Sequence, residues 1–80
     1  MRMDDFRQQI LSLLEQRGPH KTICPSEVLT DADKQQPEVM EQVRVSARHL
    51  AAEGKIEITQ KGRVVDLDTV RGPIRLRNKR

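Results

Sequence analysis

Eighty residues suffice for one domain with a modest hydrophobic core and leave little room for a second. Apolar residues make up 35% and charged residues 34%, against roughly 25% charged in an average domain, yet the apolar residues fall in periodic segments unlike those of a disordered chain. Net charge is +3, no apolar run approaches the length of a membrane span, no secretory leader is visible, and one cysteine suits a reducing cytoplasm.

The charge is unevenly spread. Residues 1–40 hold five Lys/Arg and seven Asp/Glu; residues 41–80 hold ten and five. A basic second half points to a polyanionic partner.

Met3, Phe6, Ile10, Leu13 and Leu14 recur at helical spacing and predict a first helix from Asp5 to Arg17, with Asp4 as its cap and Gly18-Pro19 as its stop. Thr22-Ile23 is long enough for a short strand. Cys24-Pro25-Ser26-Glu27 reads as the start of a second helix, with Pro25 at the first helical position. Val28, Leu29 and Ala32 give that helix one apolar face, and it is expected to end near Asp33. After a polar turn, Pro37 opens a third helix. Its buried stripe is Val39, Met40, Val43, Ala47, Leu50 and Ala51, and it stops at Gly54. Two helices joined by so short a turn predict a helix-turn-helix.

Lys55 to Gln60 alternates with period two, setting Ile56 and Ile58 on the core face. Gln60-Lys61-Gly62-Arg63 is a tight hairpin turn in which Gly62 supplies a positive φ, and Val64 to Leu67 returns. Asp68 to Pro73 reads as a loop. Ile74-Arg75-Leu76-Arg77 alternates again, as a third strand or an ordered arm. The expected architecture is therefore α+β: a winged helix-turn-helix of three helices and a β-hairpin wing, a single domain over residues 1–77 with a flexible basic tail at 78–80.

Catalysis is not expected. His20 and His49 form no metal-binding spacing, no glycine-rich phosphate loop follows a strand, and Cys24 has no evident partner group. No cofactor or metal is implied. The outer face of helix 3 is the better candidate. Arg44 and Arg48 lie about 100° and 140° around the helix from Val43. Gln42 and these arginines have the chemistry to read adenine and guanine edges in a major groove. Lys55, Lys61 and Arg63 on the wing, with Arg75 and Arg77 beyond it, are candidate phosphate contacts. Four to six such contacts predict a salt slope of about −4 to −5. Against this reading, Glu38 and Glu41 on the same helix repel phosphates, Lys and Arg also guard exposed sheet edges, and Val45 and Ala52 can equally meet another protein. Phe6, the one aromatic residue, belongs to the core stripe, which disfavours single-stranded targets that stack on exposed rings.

The segments Thr22-Ile23-Cys24-Pro25-Ser26-Glu27-Val28, Met40 through Arg44 with Ala47 and Leu50, Ile58 through Gly62, Val65-Asp66, and Gly72 through Arg77 resemble a small bacterial family catalogued as domain of unknown function 3253. Members often carry a tryptophan-arginine pair ahead of helix 3, where this chain has Gln36-Pro37 and no tryptophan. The resemblance implies a winged-helix-like fold, but no activity and no catalytic residue. The combined expectation is a cytoplasmic duplex-DNA-binding domain, a small transcriptional regulator, monomeric or weakly dimeric; the alternative is a protein-interaction module on the same scaffold.

Overall fold

The structure, a computed structural model, describes residues 2–79, with side chains from residue 5 onward. Helix α1 (Arg2–Arg17) is followed by strand β1 (Thr22–Ile23), a 3-10 turn (Pro25–Val28), α2 (Asp31–Lys34), α3 (Pro37–Ala52), and strands β2 (Ile56–Gln60), β3 (Arg63–Val64) and β4 (Arg75–Asn78). The arrangement is α+β and winged-helix-like: three helices, then a small antiparallel sheet. Helix α1 starts at Arg2, ahead of the expected Asp5, so Asp4 lies within the helix and is not its N-cap; the expected core place of Met3 concerns a side chain outside those described, as does Arg80 of the expected tail.

One core joins the helices to the sheet. Phe6, Ile10 and Leu14 from α1 meet Val43, Ala47 and Leu50 from α3, over Ile23, Ile58 and Leu76 of the sheet. Leu13, expected in the α1 stripe, is only partly buried.

Helix 3 and its exit match the sequence reading. Pro37 sits at the first turn of α3. At the other end Gly54 takes φ 76°. The Lys55 N–H donates to the Leu50 carbonyl at 3.0 Å, and the Gly54 N–H to that of Ala51 at 3.0 Å. This pair of bonds is a Schellman closure, which satisfies the last carbonyls and turns the chain straight into β2.

The second helix differs. It is broken into the 3-10 turn and the single turn of α2, because Leu29 and Thr30 are both extended. The Thr30 hydroxyl accepts from the Asp33 N–H at 3.2 Å and so caps a new helix start. Ala32, expected on a buried face, is exposed, while Leu29 is buried.

The sheet order is β1-β4-β2-β3, so the segment expected as a third strand or an ordered arm is a strand, β4, and a central one, at Arg75–Asn78. β4 pairs Arg77 with Thr22 on one side and with Glu57 on the other. Asn78, expected to begin the tail, is the last residue of β4 and pairs with Ile56. The return strand after the hairpin is short, because Asp66 ends it. The Asp66 carboxylate accepts from the Asp68 N–H at 2.9 Å, and its carbonyl from the Thr69 and Val70 N–H groups at 3.1 and 2.9 Å. Such an aspartate turn offers the backbone an alternative to the ladder. It carries Leu67 down into the core.

Candidate nucleic-acid interface

The wing is built on a two-residue hairpin. Gln60 and Arg63 are register partners, and both intervening residues have positive φ, Lys61 at 53° and Gly62 at 82°. This is the type I′ geometry whose twist suits two paired strands, and it favours Asn or Gly at both central places. Lysine in this region lacks the local side-chain bonding that makes asparagine tolerable there.

Lys61 and Arg63 are exposed, and among the described residues neither makes an ion pair or a side-chain hydrogen bond. Arg71 joins them. The Gln60 side-chain amide donates to the Arg71 carbonyl and, at 3.2 Å, to that of Pro73. That clamp holds the Arg71 backbone beside the hairpin, with its side chain exposed and, among the described residues, unpaired. In the sequence Arg71 falls in the Asp68 to Pro73 loop, where no local pattern announces a clamp made from eleven residues away.

Of the other nominated cations, Arg48, Lys55, Arg75 and Arg77 are engaged. Arg48 Nε lies 3.0 Å from Asp68 Oδ1, tying α3 to the aspartate turn. Lys55 Nζ is 3.4 Å from Glu53 Oε1, which also takes Arg7 from α1 at 2.8 Å. The Arg7 hydrogen bond, with Lys55 adding to it, holds the Glu53 carboxyl below its ordinary range. Arg77 Nη2 and Nε both reach Glu57 Oε1, at 2.7 and 3.2 Å. Arg75 donates to the Thr22 hydroxyl at 2.9 Å and to the Thr22 carbonyl at 3.2 Å. Gln42 and Arg44 are half-buried. Arg44 lines a cleft against Cys24, Pro25, Pro73 and Ile74.

The expected single cationic surface is therefore divided. Lys61, Arg63 and Arg71 stand uncompensated around the hairpin, while Arg48, Lys55 and Arg77 are each set against a carboxylate. The entrance to α3 is acidic. Asp31, Glu38 and Glu41 are exposed there, with Lys34 as the nearby cation, 3.7 Å from Asp31. In a helix-turn-helix this is the end that approaches base edges, and negative charge there opposes a phosphate backbone.

No helix among the described residues is long and apolar enough to cross a membrane. Comparison with known families matches residues 3–79 to one described as "Protein of unknown function (DUF3253)". No curated protein matches the chain.

Proposed function

The chain belongs to this family of unknown function, DUF3253, and from that premise we propose that it is a duplex-DNA-binding domain whose wing grips the phosphate backbone. The observation that supports the reading best is Lys61. An exposed lysine occupies a left-handed turn position that disfavours a non-glycine residue by roughly 1–2 kcal/mol. It does so beside a second unpaired cation, Arg63. A residue that breaks a local rule on the surface, with no partner among the described residues, fits a role outside the fold.

On this reading the wing leads and α3 follows. Three cations, Lys61, Arg63 and Arg71, supply about three phosphate contacts, so log affinity falls with log salt at a slope of about −3. Arg48, Arg75, Arg77 and Lys55 serve the fold first. Sequence preference is weak, because the acidic entrance to α3 keeps its first turn from base edges. A cytoplasmic regulator acting with a partner protein that supplies specificity is the role such a contact serves. Fluorescence anisotropy of a labelled duplex at several salt concentrations tests it. A flat salt response, or unchanged binding in a Lys61→Asn, Arg63→Gln double variant, removes the proposal.

The alternative of a protein contact has its own observation. Val64 is 58% exposed on β3, one of the two outer strands of the sheet. An apolar residue on an open edge suits a partner strand. Binding that resists salt and is lost in Val64→Asp would select this reading over DNA.

A further inference from the structure

The cleft holding Arg44 has no part in the wing. It lies where the 3-10 turn, α3 and the start of β4 meet, and it is lined by Cys24, Pro25, Ser26, Met40, Arg44, Pro73 and Ile74. Its volume is about 180 Å³. Pro25 and Ile74 are buried, and Met40 is partly so. Against that apolar lining stands one charged group. Arg44 is half-buried and, among the described residues, has no ion pair and no side-chain hydrogen bond. Arg48, one turn further along α3, has Asp68, whereas Arg44 has no such partner.

A guanidinium partly withdrawn from water with its donors unused gains more from a carboxylate than an exposed one does. We infer that this cleft binds a small organic monoanion, its carboxylate on the Arg44 fork and its short apolar body against Met40, Pro73 and Ile74. One cation specifies one negative charge. The planar fork suits a carboxylate, and the apolar part of the lining favours an apolar body over a fully hydrated inorganic anion. The Ser26 hydroxyl, 3.3 Å from Cys24 Sγ, is a second polar group at the mouth. The wider groove between α1 and the 3-10 turn carries no comparable demand, because its charged group, Glu27, already accepts from Arg17 and the Cys24 N–H.

Butyrate is the probe, followed by backbone amide shifts, with acetate, butanol and butylammonium as comparisons at constant ionic strength. Butyrate should shift Cys24, Ser26, Arg44 and Ile74. It should bind more tightly than acetate, by up to roughly fifteenfold, since each buried methylene is worth a factor of about four. Arg44→Gln should abolish the response with the circular dichroism spectrum retained. Cys24, the one cysteine in the chain, gives a readout that needs no variant. Its thiolate attacks the methylene carbon of iodoacetate or iodoacetamide, forming the sulfur–carbon bond as iodide leaves. The iodoacetate-to-iodoacetamide rate ratio should be several-fold higher in the folded protein than in urea, and butyrate should slow both reagents. Equal shifts from acetate and butyrate, shifts centred on Lys61 and Arg63, or the same alkylation ratio folded and unfolded would overturn the inference.

Discussion

Arg77 and Glu57 stand directly opposite each other in β4 and β2, and two guanidinium nitrogens converge on a single carboxylate oxygen. Thr22 lies opposite Arg77 on its other side, in β1. The pair thus sits in the middle of the sheet, half-buried at both ends. Cross-strand charge pairs contribute roughly 0.2–1 kcal/mol. Glu57→Ala should therefore lower the thermal midpoint by about 1–8 °C, with no loss of DNA affinity. Differential scanning calorimetry and anisotropy on the same preparation check both halves.

Lys61→Asn should separate stability from binding. Asparagine tolerates the left-handed turn position better, so the variant should be more stable, by about 0.5–1 kcal/mol. Removing one phosphate contact should weaken DNA binding and flatten the salt slope by about 0.9. Urea unfolding read beside a salt titration tests the pair. A variant that loses stability would show that the turn is not built as described.

Glu27 gives the fold an acid-sensitive component. Its carboxylate accepts from the Cys24 N–H at 2.7 Å and from Arg17. The backbone hydrogen bond, seconded by Arg17, holds its pKa below the ordinary 4.5. A carboxylate depressed in the folded state stabilises above its unfolded pKa, and that contribution fades as pH falls through the lower folded value. Glu27→Gln should therefore be less stable than the parent at neutral pH, by about 1 kcal/mol for this partly exposed group. The gap should close as the pH is lowered below about 4.5. Urea midpoints of both proteins across the acidic range provide the measurement.

Gln60→Ala should release the segment that Gln60 clamps. Two carbonyls, of Arg71 and Pro73, lose their donor. Loss of two such bonds corresponds to about 1–2 kcal/mol. Amide exchange should quicken at Leu67 and Val70, while α1 and α3 keep their relative order of protection.

Helices α1 and α3 and the hairpin were legible because each rests on short-range signals. Pro37 and Gly54 bracket α3, Ile56 and Ile58 alternate, and Gly62 marks a tight turn. Two other short-range signals were present and outweighed by periodicity. Thr30-Asp31-Ala32-Asp33 is a helix-start pattern lying inside an apparent helix, and Asp66 is a turn former lying inside an apparent strand. The place of β4 was open, because alternation is the same for a central strand and an edge. The candidate site was hardest to see. Whether Arg48 or Arg77 is available depends on Asp68 and Glu57, which come within reach only through an aspartate turn and a cross-strand register. Neither follows from the spacing of charges along the chain.

Strand β4 alone connects β1 to β2. As the chain emerges from the ribosome, Thr22 and Ile23 wait for residues made more than fifty positions later, and Ile58 waits with them for Leu76. Until that keystone arrives, α1 and α3 can touch, but Ile23 beneath one and Ile58 beneath the other are not joined into one floor. The domain is thus assembled late and all at once, and a nascent chain halted at Gly72 should be open to proteases along most of its length.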